Sequence, residues 1–303
     1  MENDAVRVSV IIVTYKGKQW YDRCFSSLRN STIPVQTIVV DNASNDGTVE
    51  YIKENYPEII LIESKENLGF GKGNNMAMRY ALDHECDYVF LLNQDAWIEP
   101  DTFETLVAIH QNHQEYGILS PMHLNVQQTG LAMKEFCRQP CNEKLITDLY
   151  MNKLSDIYET TYIHAAAWLL PKRTLQTVGG FDPIFPHYGE DDDYMNRIRF
   201  HGLKIGVCPS ARIVHDHQDR PKTGARMQYL HNLKKLVEYL DINRAFKLGR
   251  YLSSYLSKWL QSLCHFDLKQ SHGFRKDMGF LVGKAREIKS HRKQNMQKGE
   301  TWL

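Results

Sequence analysis

Asn93 and Asp95 stand one residue apart at the end of the apolar run Tyr88-Val89-Phe90-Leu91-Leu92, and their types and spacing suit a definite chemistry. Two short oxygen-bearing side chains flanking one residue can turn into the same cleft. A hard divalent cation takes such ligands together with phosphate oxygens and water. The alternative is an Asx turn leading into a helix near Pro100, because Asn and Asp favour turns and helix starts in any case. A second group is Glu190-Asp191-Asp192-Asp193. Four successive carboxylates are costly to assemble unless a helix amino terminus, cations or protonation relieves them, and an acidic first helical turn is the structural reading. His215-Asp216-His217 completes the set. Imidazole is a good ligand for Mn²⁺ and a tolerable one for Mg²⁺, although a histidine at a strand end is ordinarily structural.

The elements that must carry these groups are legible as alternating patterns. The five apolar residues before Asn93 read as a buried strand of a parallel sheet, which places Asn93 and Asp95 at its carboxyl end, where open α/β sheets bind their ligands. Upstream, Val8-Ser9-Val10-Ile11-Ile12-Val13 predicts a strand and residues 20–28 a helix with Trp20, Cys24, Phe25 and Leu28 on one side. Strands at 37–40 and 59–62 flank a short helix at 50–56, and this βαβαβ order predicts a parallel nucleotide-binding half. Asn67-Leu68-Gly69-Phe70-Gly71-Lys72-Gly73-Asn74-Asn75 reads as a glycine-rich loop before a helix at 76–82. It lacks both the G-x-x-x-x-G-K-[ST] and the G-x-G-x-x-G spacing. Further on come a helix at 101–113, a strand at 117–121, little periodic signal over 123–160, a strand at 163–171 with a helix to Val178, and two short strands at 204–207 and 211–214.

In order and spacing, Val10-Ile11-Ile12-Val13-Thr14-Tyr15, Val39-Val40-Asp41-Asn42-Ala43-Ser44-Asn45-Asp46-Gly47-Thr48, Glu66-Asn67-Leu68-Gly69-Phe70-Gly71 and Leu92-Asn93-Gln94-Asp95 resemble the family-2 inverting glycosyltransferases, particularly the bacterial rhamnosyltransferase-like branch. The resemblance covers roughly residues 6–217. It implies a GT-A fold: a Rossmann-like, mostly parallel central sheet flanked by helices. Asn93 then occupies the first acidic position of the D-x-D motif, and Asp95 and His215, with Asn93, are the implied metal set for Mn²⁺ or Mg²⁺, with His217 behind them. Thr14 and Tyr15 would lie against the nucleobase and ribose. Asp41 would accept a hydrogen bond from a uracil or thymine imide, or else cap the following helix. Asn67, Gly69 and Lys72 would line the ribose and diphosphate. The string Phe185-Pro186-His187-Tyr188-Gly189-Glu190-Asp191-Asp192-Asp193 resembles the acidic active-site motif, with Asp191 as general base, Glu190 beside it and Asp193 turned toward Arg197 four residues on. The stretch 123–160 would serve the acceptor side.

Composition bounds the rest. The chain of 303 residues is 42% hydrophobic, enough for one catalytic domain with an appendage. Its net charge of +1 conceals an asymmetry: residues 1–219 hold 19 Lys+Arg against 30 Asp+Glu, whereas 220–303 hold 18 against 6. A body of about −11 and a tail of about +12 suggest an anionic partner for the tail, or its docking on the body. Six cysteines show no paired zinc spacing, and Cys137 and Cys141, with His123 upstream, read as free thiols. No signal peptide and no apolar run of about 20 residues is evident, so a cytoplasmic location, at most on the inner face of a membrane, is expected.

The expected division is a GT-A domain at 1–219, with a donor half at about 1–121 and an acceptor half at about 122–219, followed by a basic helical extension at 220–303. In the extension, Tyr251, Leu252, Tyr255, Leu256, Trp259, Leu260 and Leu263 form one apolar stripe. That helix either contacts an anionic membrane peripherally or packs on the body or on a second subunit. The expected reaction moves a sugar from a UDP- or dTDP-sugar donor, with inversion, to a hydroxyl of a glycan or lipid-linked acceptor in surface polysaccharide biosynthesis. A nucleic-acid partner is not expected. The rivals are a nucleotide-sugar-binding homologue without transfer, which Asn93 in place of a carboxylate favours, and a sugar-1-phosphate nucleotidyltransferase. The second would need a glycine-rich basic loop after the first strand, which Thr14-Tyr15-Lys16-Gly17-Lys18 does not provide.

Overall fold

The structure, a computed structural model, describes residues 6–132, 140–217 and 223–303. In chain order the elements are β1 (Val8–Thr14), α1 (Lys18–Arg29), β2 (Val35–Asp41), α2 (Thr48–Asn55), β3 (Ile60–Glu63), α3 (Gly69–Asp83), β4 (Tyr88–Leu92), β5 (Ala96–Ile98), α4 (Thr102–Asn112) and β6 (Tyr116–Leu124). Then follow α5 (Pro140–Tyr150), β7 (Tyr158–Glu159), β8 (Ala167–Pro171), α6 (Lys172–Val178), α7 (Glu190–Phe200), β9 (Lys204–His215), α8 (Gly224–Leu240), α9 (Leu248–Cys264) and α10 (Leu268–Asn295).

One sheet runs β3-β2-β1-β4-β8-β6-β9-β5, with β7 paired to β9. Strands β3, β2, β1 and β4 are mutually parallel, as the alternation of strands and helices predicts. Beyond β4 the sheet becomes mixed: β8 is antiparallel to β4 and β6, β9 is parallel to β6, and β5 is antiparallel to β9. Strand order reverses between β1 and β4, which opens a crevice at their carboxyl ends.

Successive side chains of a strand point to opposite faces, and here both faces are apolar because helices cover both. Val10, Ile12, Tyr88, Phe90 and Leu92 pack with α1, α2 and α4, whereas Ile11, Val89 and Leu91 pack with α3, α6 and α7. A third core joins Ile184 and Phe185 to Leu236, Tyr239, Leu281 and Ile288 of the carboxyl-terminal helices.

Several local expectations are corrected. The stretch from Gly69 to Asn75 is the opening of α3 rather than a loop. The residues 204–207 and 211–214 belong to one strand, β9, whose pairing slips opposite Pro121 and Met122. In α1 the buried face is Tyr21, Cys24, Phe25 and Leu28, while Trp20 is half-buried. Only 167–171 of the 163–171 run is strand, and the weakly patterned 123–160 contains α5 and β7. Cys137 lies outside the described residues, as does the side chain of Cys141.

Candidate active site

The crevice is closed at its floor by polar residues from three neighbouring strands. Thr14 Oγ1 donates to Asp41 Oδ1 at 3.1 Å, and the backbone N–H of Ser44 donates to Asp41 Oδ2 at 2.9 Å. Asp41 is buried and does not cap α2, which begins at Thr48 behind Gly47. Tyr15 is exposed at the end of β1, with the Lys16 ammonium 5.3 Å from the centre of its ring. Its backbone is held by Gln94, whose Oε1 accepts from Tyr15 N at 2.9 Å and whose Nε2 donates to Tyr15 O at 3.2 Å. Gln94, the residue between Asn93 and Asp95, thus ties the end of β4 to the end of β1. Sequence reasoning passed over it because an amide between two candidate ligands carries no signal of its own.

Asn42 was also missed. Its Oδ1 accepts from Leu68 N at 3.1 Å and its Nδ2 donates to Gly69 O at 3.0 Å, which locks the start of α3 to β2. Gly69 has φ +77, and any side chain there would collide with the Pro186 carbonyl oxygen. Gly71 and Gly73 face Phe181 and Val13. The glycines therefore admit other parts of the protein at close range, where the expectation was close approach to a ligand. Asn67 is exposed, its Oδ1 accepting from Gly69 N at 2.9 Å, and Lys72 is exposed on α3.

At the other end of the crevice the chain turns tightly after β4. Asn93 N donates to Ala166 O at 2.9 Å and Asn93 O accepts from Ala96 N at 3.1 Å, while its side chain makes no hydrogen bond among the described residues. The pairing of β5 with β9 sets Ala96 opposite His215. This brings Asp95 Oδ1 to 3.4 Å from His215 Nε2, with Asp95 partly exposed and His215 buried. That separation is long for a strong hydrogen bond. Four imidazoles gather here: the rings of His123 and His164 lie 6.0 and 6.2 Å from that of His215, and His217 lies 5.6 Å from it. Burial depresses the pKa of His123 and His164.

Among the described residues no group of three or more His, Cys, Asp or Glu side chains is arranged as a ready metal cage. Asp95 and His215 nonetheless fit a cation that completes its shell from phosphate and water, since one hard oxygen, Oδ1, and one imidazole nitrogen, Nε2, face each other.

The acidic run is the first turn of α7. Glu190 is buried, and burial first, then the charge of Asp191, push its carboxyl up to about 8. Asp192 is pushed up to about 7 by the same two causes and lines a groove of about 510 Å³ beside Lys234 of α8, away from the sheet. Asp193 is fully buried 3.8 Å from Arg197 Nε, the partner anticipated from the four-residue spacing, and burial raises its pKa against the pull of that guanidinium. Arg197 in turn donates to the carbonyls of Val178 and Gly180. The cost of four adjacent carboxylates is thus relieved by the helix amino terminus, one buried cation and raised proton affinity. Asp191 is partly exposed, its Oδ1 accepting from Asp192 N at 2.9 Å. The adjacent Glu190 places its Cβ 3.9 Å from where a side chain at Gly71 would stand, so this turn lies beside the start of α3. His164 itself carried no usable signal, being one histidine in an apolar run.

The segment leading to α7 is fastened from behind. Asp182 accepts from Asn295 Nδ2 at 2.9 Å and from Ile184 N at 3.0 Å, and contacts His291 Nδ1 at 2.6 Å. Gly180 N donates to Thr301 O at 2.8 Å, and Asn75 Nδ2 links Phe181 O with Trp302 O at 2.8 and 3.0 Å. The last residues of the chain therefore pack into the body beside the acidic helix.

A mixed sheet flanked by helices, with polar turns at the carboxyl ends of its central strands, is the GT-A architecture of glycosyltransferases. It is shared with S. aureus TarS, whose structures with UDP and UDP-GlcNAc align with TM-scores of 0.55 and 0.56 at 18% identity, over 78% and 79% of this chain and 66% and 67% of those chains. The chain belongs to glycosyl transferase family 2, whose sequence profile matches residues 9–176. Among curated relatives, it is 25% identical to the low-salt glycan biosynthesis hexosyltransferase Agl10 of Haloferax volcanii, over 79% of this chain and 74% of that protein. It is also 25% identical to the N-acetylglucosaminyl-diphospho-decaprenol L-rhamnosyltransferase of Mycobacterium tuberculosis, over 68% and 75%. The family profile stops short of Glu190, Asp191 and His215.

Proposed function

We propose that this family-2 glycosyltransferase moves a sugar from a UDP- or dTDP-sugar to a hydroxyl of a glycan or lipid-linked acceptor, with inversion at the anomeric carbon, in the assembly of a surface polysaccharide. The observation that carries the reading is the pair of Asp95 and His215, 3.4 Å apart just past the end of β4, in a chain whose α7 opens on the acidic turn that holds Asp191. The names of the Haloferax and Mycobacterium relatives support the sugar-transfer chemistry and the lipid-linked acceptor class.

In this reading Thr14, Tyr15 and Asp41 bind the nucleoside, and Asn67, Gly69 and Lys72 lie along the ribose and diphosphate. Asp95 and His215, with Asn93, hold Mn²⁺ or Mg²⁺, which when bound neutralises the charge of the leaving diphosphate. Asp191 accepts the proton of the acceptor hydroxyl as its oxygen attacks the anomeric carbon from the face opposite the leaving group. The bond from that carbon to the diphosphate oxygen breaks, and a nucleoside diphosphate departs. Glu190, protonated near neutral pH, offers a hydrogen bond beside the base. An apolar cavity of about 450 Å³ lined by Met122, Leu124, Leu145 and Leu149 lies between β6 and α5, in the stretch this reading assigns to the acceptor.

Incubation with a panel of nucleotide sugars, with and without Mn²⁺, tests the reading. Release of nucleoside diphosphate that depends on the metal, and that is lost in Asp95→Ala, is the expected result. Binding of the sugar nucleotide without turnover for any acceptor or water would favour the non-catalytic alternative.

A further inference from the structure

The apolar stripe of α9 divides in two. Tyr251, Leu252 and Tyr255 pack into the third core with α8 and α10, whereas Leu256, Leu260 and Leu263 remain exposed. Beyond them the α9–α10 turn holds Phe266 and Leu268 at 88% and 73% exposure, Phe266 with φ +57, so the end of this helical hairpin is its most apolar exposed part. An apolar tip is costly in water unless something else covers it.

The charge around the tip identifies the cover. Residues 247–289 contain nine Lys+Arg and three Asp+Glu. Each of the three carboxylates is engaged internally: Asp277 with His231 and Lys235, Asp267 as the acceptor from Gln270 N at the start of α10, and Glu287 with Lys284. Lys258, Lys269, Arg275 and Lys276 meet no carboxylate among the described residues. At a rise of about 1.5 Å per residue they fall within roughly 12 Å of the tip along the two helices, forming a cationic collar behind an apolar end. No helix among the described residues is long and apolar enough to cross a membrane. We infer that the α9–α10 hairpin docks end-on at an anionic lipid surface, with Leu260, Leu263, Phe266 and Leu268 entering the headgroup layer and the collar contacting lipid phosphates. This goes beyond the sugar-transfer reading and does not depend on it.

The test is flotation of the full chain with vesicles of pure phosphatidylcholine and of phosphatidylcholine mixed with phosphatidylglycerol. Recovery should require the anionic lipid and decline as salt is raised, since the attraction is screened beyond about 8 Å at physiological ionic strength. Phe266→Asp with Leu268→Asp, and separately Lys258→Glu with Lys269→Glu, should each lower the partition coefficient about tenfold. Circular dichroism melting and nucleotide-sugar hydrolysis in solution, which the hairpin tip does not touch, should stay as in the parent protein. Equal recovery on neutral and anionic vesicles, or recovery undiminished in both double variants, would overturn the inference. So would a concentration-dependent dimer that the Phe266 and Leu268 changes abolish without any vesicle binding, because the tip would then be a subunit interface.

Discussion

The two sides of the cleft are held in place by different means. On the donor side, each polar group is fixed by the strand beside it: Asp41 by Thr14 and Ser44, and Tyr15 by Gln94. On the acidic side, the Gly179–Asp182 turn before α7 is fixed by residues from α3, α7, α10 and the last five residues of the chain. A side chain at Gly179 would strike the Thr301 carbonyl oxygen, which shows how closely the chain end is seated. The difference teaches that the donor side rests on neighbouring strand ends, whereas the acidic side is also fastened by α10 and the last residues of the chain.

The largest expected effect falls on the acidic side. Asp191→Asn should lower turnover by about 10²- to 10⁴-fold, the usual worth of a positioned base, with little change in nucleotide affinity. Asp192→Asn, whose side chain faces the α8 groove, should be far milder. Parallel rate and binding measurements decide this, and a dead Asp192→Asn beside an active Asp191→Asn would move the base by one position.

On the donor side, Asp95→Ala should abolish donor-stimulated Mn²⁺ uptake in calorimetry, while Asn93→Asp should retain or tighten it, because a carboxylate is a stronger ligand than an amide oxygen. Full metal affinity in Asp95→Ala would break the assignment.

Asp182→Ala strands the half-buried His291, the buried Asn295 and the Ile184 N–H, and should cost about 3 kcal/mol in denaturant unfolding. If the two sides are fixed independently, nucleotide affinity in the folded fraction should survive. Gln94→Ala, which removes two hydrogen bonds to the Tyr15 backbone, should cost about 1 to 2 kcal/mol and weaken nucleotide binding instead. The two substitutions therefore test the comparison from opposite sides.

The smallest effect is one of pH. Burial raises the Glu190 carboxyl to about 8 in the folded protein, so the native state binds this proton more tightly than the unfolded chain does. Stability linked to it is present at pH values below the ordinary glutamate range and is lost as pH rises toward about 8. Glu190→Gln removes that loss. Its melting temperature relative to the parent should therefore be higher at pH 8 than at pH 5, and an unchanged difference across that range would show that Glu190 ionises as an ordinary carboxylate.

Much was decided by the sequence itself. The period-two strands with both faces apolar require helices on both sides. The ordered strings around Thr14, Asp41, Gly69 and Asp95 carry the family, and the four-residue spacing of Asp193 and Arg197 foretells their buried pair, because all of these depend on neighbours a few residues away. What only the tertiary structure decided depends on pairing at long range. The antiparallel insertion of β8 beside β4 and the β5–β9 register bring His215 to Asp95 and gather four histidines that are unremarkable one by one. The glycines of α3 were read as making way for a ligand, yet in the fold they make way for Pro186, Phe181 and Val13. The pattern of Gly69, Gly71 and Gly73 says that something must come close, and which atoms arrive there is settled by packing.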